Sequence, residues 1–104
     1  MKKISKSNSE KFNKQVRELI KKYRAIENES YKMYQYQLQT KYGILNVSVH
    51  DDQSFIYSIF TRFDEPEKAK EKFSCNPHSG KYNFHCGDFE TNINSFESFL
   101  KQVI

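Results

Sequence analysis

Long apolar runs are what this 104-residue sequence lacks first. No stretch approaches the roughly 20 consecutive apolar residues that a membrane-spanning helix requires. The amino terminus, Met1 to Glu10, carries lysines but no apolar run of signal-peptide length, so a cytoplasmic protein with no membrane partner is expected. Cysteine is scarce as well. Cys75 and Cys86 are too few for a disulfide-built secreted scaffold and read as free thiols, with a Cys75–Cys86 bridge as the alternative. Only 3 Gly and 2 Pro are present beside 29% charged residues, which excludes a low-complexity or disordered chain.

Hydrophobic residues make up just 37%, but 9 Phe and 7 Tyr supply large apolar area per residue, so an aromatic core is expected. At 104 residues there is room for one domain, residues 1–104, and not two. The net charge of +4 is unevenly placed. Residues 1–30 hold nine Lys or Arg against four Glu, whereas the remainder holds eight against nine acids. The basic character therefore belongs to the first segment.

In that segment Phe12, Val16, Leu19, Tyr23 and Ile26 recur at steps of three and four, the stripe of an α-helix over residues 8–28. Ser7, Asn8 and Ser9 are its candidate N-caps. Lys14, Arg17, Lys21 and Arg24 follow the same steps two residues later, about half a turn away, which makes the outer face positive. The period then drops to two. Tyr34, Tyr36 and Leu38 alternate with Gln35, Gln37 and Gln39, and after Gly43 the alternation resumes with Leu45, Val47 and Val49, predicting a hairpin. A third strand through Phe55–Phe63 is apolar on both faces, and Asp64-Glu65-Pro66-Glu67 starts a short helix over residues 65–73. Lys81 to Cys86 alternates again, and Ile93, Phe96, Phe99, Leu100 and Val103 mark a last helix over residues 90–103. The expected fold is α+β, in the order α-β-β-β-α-β-α. Its sheet, within residues 31–86, is four-stranded and mainly antiparallel, with the helices packed on it.

Candidate chemistry is sparse. His50, Cys75, His78, His85 and Cys86 are metal-ligating types, but His85 and Cys86 are neighbours on an expected strand and should point to opposite faces. No metal or other cofactor is expected, and a core-facing Cys86 beside Phe84 is the simpler reading. Ser79-Gly80-Lys81 lacks the second glycine and following helix of a phosphate loop. Asp51-Asp52 and Asp64-Glu65 read as caps and solvated turn charges. The basic stripe Lys14, Arg17, Lys21 and Arg24 can face solvent, an acidic protein surface or a phosphate backbone. Tyr31, Tyr34 and Tyr36 either stack on a partner or belong to the core.

Residues 57–85 carry Phe60-x-Arg62-Phe63, then Ala69, then Asn76-x-x-Ser79-Gly80-Lys81-Tyr82-Asn83-Phe84-His85. On these features the stretch resembles small proteins encoded on bacterial plasmids, prophages and other mobile elements. The resemblance covers under a third of the chain and brings no catalytic residue with it. What it implies is a genomic setting in which small non-enzymatic proteins bind and block host defence complexes, anti-CRISPR proteins foremost. The expected partner is then a protein, such as a CRISPR effector nuclease or complex. Expected contact residues are Lys14, Arg17, Lys21 and Arg24 on the helix, with Asn76, His78, Ser79, Lys81 and His85 near the turn. A nucleic-acid-binding or regulatory protein acting through the basic helix is the alternative.

Overall fold

The change of hydrophobic period separates helix from sheet in the computed structural model, which describes residues 3–27, 35–49, 56–69 and 81–104. Helix α1, Lys6–Lys22, buries Phe12, Val16 and Ile20 on one stripe. Its cap is Ser5 rather than the later Ser7–Ser9 group: the Ser5 Oγ accepts the Asn8 N–H at 3.3 Å, and Ser9 is fully buried one turn in. The helix also stops well short of residue 28. Arg24 takes a left-handed φ of 64°. The Arg24 N–H then donates to Lys21 O at 3.0 Å, and the Ala25 N–H joins that of Tyr23 on Ile20 O, each at 3.1 Å, so the last carbonyls of the helix find partners.

That reversal sends the chain into β1, Ile26–Glu27, at the sheet edge. Ile26, which continues the apolar stripe in sequence, is 68% exposed there instead of packed. Strands β2 (Tyr36–Thr40), β3 (Gly43–Val49) and β4 (Ile59–Phe63) follow. The sheet is four-stranded and antiparallel in the order β1-β2-β3-β4. Gly43 has φ +95°, which an L side chain rarely adopts. The Thr40 hydroxyl locks that hairpin by donating to Gly43 O at 2.6 Å while accepting the Tyr42 N–H at 3.1 Å.

Alternation divides the sheet. Tyr36, Leu38, Leu45, Val47, Val49, Ile59 and Phe63 enter the core with the buried sides of α1 and of α3, Phe89–Val103. Helix α2, Pro66–Ala69, adds Ala69 to the same core. The opposite face carries no helix among the described residues and presents Gln37, Gln39, Ile44, Phe60 and Arg62. The radius of gyration, 13.3 Å, is that of one globule of this length.

The segment expected as the last strand lies along β4, bridged at Arg62↔Lys81 and Ile59↔Phe84. Between the bridges side chains replace part of the ladder. The Thr61 N–H donates to Asn83 Oδ1 at 3.1 Å, and the Thr61 hydroxyl donates to Tyr82 O. Rings then bind it to α3: Tyr82 stacks on Phe99 at 4.8 Å, and Phe84 meets Phe96 at 5.4 Å. Such pairs contribute about 0.5–1.5 kcal/mol each beyond burial. A second trio, Phe12, Tyr57 and Phe89, ties α1 to the start of α3 with centroids 5.1–5.2 Å apart.

Asn92 is the polar hub of this packing, 3% exposed. Its Nδ2 donates to Tyr57 O at 2.5 Å and Gly87 O at 3.0 Å, and its Oδ1 accepts the Gly87 N–H at 2.9 Å. Truncation removes all three bonds, so Asn92→Ala should lower stability by about 1–3 kcal/mol, read from the urea midpoint at constant slope.

Asp88 caps α3 by accepting the Thr91 N–H at 2.9 Å. That backbone bond, followed by one from the Thr91 side chain, holds its carboxyl below the usual 3.8. A depressed folded value means the capping contribution is full above the unfolded value and is lost as pH falls through the folded one. Asp88→Asn keeps a capping oxygen without titrating, so the thermal midpoint of the variant should fall less than that of the parent between pH 5 and about pH 2.

Candidate functional site

A helix packed on one stripe leaves its flanks to other uses. One flank of α1 borders a groove of about 430 Å³, lined by Glu10, Asn13, Lys14, Arg17, Glu18 and Lys21. Three of the four expected basic residues therefore share one surface. Arg24 does not extend the row along the helix, because the left-handed turn has already ended α1. Among the described residues Lys14, Arg17 and Lys21 make no ion pair, whereas Glu65 and Lys68 pair at 2.5 Å. Glu10 and Glu18 interrupt the positive field.

Asn13 is the groove residue that sequence reasoning passed over. Its Oδ1 is shut away from solvent with no hydrogen-bond partner, as is the Ser9 Oγ one turn before. A buried acceptor left empty carries a desolvation cost. The available signal was its place four residues before Arg17, on the same side of the helix.

Arg17 also reaches the sheet electrostatically. Burial pushes the Tyr36 phenol above 10.0, the Arg17 guanidinium pulls it back, and Glu27 raises it. Tyr36 itself is buried and takes no part in exposed stacking, while Tyr31 and Tyr34 lie outside the described residues.

The second group of expected contacts does not join the first. Asn76, His78 and Ser79 lie outside the described residues. Lys81 and His85 are exposed beside β4: Lys81 bridges to Arg62, and the His85 ring lies 6.2 Å from Phe60. They belong to the face of the sheet turned away from α1. His85 and Cys86 do not point apart as a regular strand requires. The pairing with β4 ends at Phe84, and beyond it the Cys86 Sγ comes within 3.7 Å of the His85 Nδ1. Cys86 is a free and exposed thiol, not a core residue, because the chain has by then left the sheet. Its place is on a cavity of about 270 Å³ shared with Asn83, His85, Thr91, Asn92 and Ser95.

His50, Cys75 and His78 lie outside the described residues, among which no cluster of three metal-ligating side chains occurs. Asp51-Asp52 is outside them too. Asp64 turns its carboxylate to Asn46 Nδ2 at 2.6 Å. No helix among the described residues is long and apolar enough to cross a membrane. No family model, curated protein or solved structure matches the chain.

The Arg17–Tyr36 coupling has a direct readout. Removing the guanidinium takes away the influence that lowers the phenol, so Arg17→Ala should move Tyr36 ionisation to still higher pH. Ultraviolet titration of Arg17→Ala against its Tyr36→Phe derivative isolates that ring from the other tyrosines.

Proposed function

We propose that this protein works by binding, docking the basic flank of α1 on an acidic surface of a protein partner, and that it thereby inhibits a bacterial defence complex, specifically a CRISPR effector. The groove carries the binding half of this reading. Lys14, Arg17 and Lys21 stand on a helix fixed by Phe12, Val16 and Ile20, so their backbone is ordered before any partner arrives. Preordering lowers the entropy lost on association. Their countercharge is left for another molecule to supply.

The interleaved Glu10 and Glu18 favour a protein partner over nucleic acid at this surface. A phosphate backbone is uniformly negative and meets repulsion at both carboxylates, whereas a protein surface can present a base opposite each acid. The inhibitory half rests on the resemblance of residues 57–85 to proteins of mobile elements, a setting in which binding without chemistry suffices for function.

A panel of purified CRISPR effector complexes tests both halves. At least one should be retained by the immobilised protein and should cleave its target DNA more slowly in its presence. The variant Lys14→Glu/Arg17→Glu/Lys21→Glu should weaken that retention by roughly tenfold or more while keeping the parental circular dichroism. Failure of every effector to bind rejects the CRISPR assignment. Binding indifferent to the charge reversal rejects α1 as the docking surface.

A further inference from the structure

The groove on α1 runs between two rows of side chains of the same helix. Glu10, Lys14 and Glu18 form one row at steps of four, and Asn13, Arg17 and Lys21 form the other. All but the half-buried Asn13 are exposed. Among the described residues no other element lines the groove, and none of its five charges is held in an ion pair. At 1.5 Å per residue the stripe from Glu10 to Lys21 extends about 16 Å along the axis, roughly three turns. Two parallel ridges are the surface that one helix offers to another, whose own row of side chains lies down between them.

An extended segment gains much of its affinity from backbone hydrogen bonds to a strand edge. The middle of a helix has no free backbone group to give. The charges also have a direction along the axis. Glu10 stands at the amino-terminal end, and the three bases follow it toward the carboxyl-terminal end, with Glu18 between the last two. A partner that complements this order carries acids opposite Lys14, Arg17 and Lys21 and a base opposite Glu10. In any helix acids are favoured in the first turn and bases in the last, because they oppose the macrodipole. Run antiparallel to α1, the partner has its acidic first turn at Lys21 and its basic last turn at Glu10, so both ends agree with that preference. Run parallel, both ends violate it.

We infer that the segment received by α1 is an acidic amphipathic helix of the partner protein, laid antiparallel between the two rows. This rests on the docking role proposed above for α1, and adds to it the conformation, charge order and direction of the occupant.

Calorimetric titration of the full chain at low salt with three end-capped synthetic peptides of about five helical turns tests it. The first is stapled into a helix, with acids at steps of three and four through its first turns and a lysine in its last. The second keeps the staple and reverses the charge order. The third has the first sequence broken by a central proline, without the staple. The first should bind most tightly, the second roughly threefold more weakly and the third roughly tenfold more weakly. Lys14→Glu/Arg17→Glu/Lys21→Glu should abolish binding of the first peptide, and Glu10→Lys should narrow its advantage over the second. Circular dichroism checks that both variants keep the parental fold. Equal binding of all three peptides, lost on the triple reversal, overturns the helical occupant and leaves the docking surface standing. Tighter binding of the second than of the first overturns the antiparallel direction. No binding of the first overturns the inference, and binding indifferent to the triple reversal overturns the docking role with it.

Discussion

The contact on which the rest of the structure depends is the seat of Phe99 from α3 among Phe63, Tyr82 and Phe84, with ring centroids 4.8–5.9 Å away. Residues 81–84 are bridged to β4 at two points and joined to it by three backbone hydrogen bonds, short of a full ladder. The rings supply what the ladder lacks. Tyr82 and Phe84 are anchored in the core, which fixes the alternate residues Lys81 and His85 on the outside. The same helix reaches α1 through Phe89 and Phe12, so one aromatic network positions both candidate binding surfaces. With 37% hydrophobic residues the chain has few smaller groups to do this instead.

The legible parts of the fold were those where pattern and packing agree. The Gln-Leu-Gln alternation and Gly43 specified the first hairpin, because every second residue is buried and the turn needs a positive φ. The α+β class, element order and terminal helices followed from the same change of period. The end of α1 was not legible. Ile26 fits the helical stripe, and Arg24 is an unexpected residue at a left-handed position usually filled by glycine. What decides the outcome is pairing of Ile26 and Glu27 with β2, a long-range gain invisible to local periodicity. Cys86 shows the converse: alternation was read one step past the last bridge, Phe84, and the side chain was placed in a core it does not enter.

The candidate sites divide in the same way. Lys14, Arg17 and Lys21 were readable because helical spacing alone places them together. Asn13 was not, since its significance lies in an acceptor closed off from both solvent and partners. Phe60 counted among the residues of a strand read as apolar on both faces, yet one face of that strand has no described helix over it. The two surfaces, one on α1 and one across the sheet, are separated by the core itself.

Chemical-shift mapping of the isotope-labelled chain tests this separation most directly. Titration with a polyglutamate peptide should move amides of residues 13–21 and leave those of residues 59–62 and 81–85 in place. Movement of residues 59–62 and 81–85 in place of residues 13–21 would contradict the account.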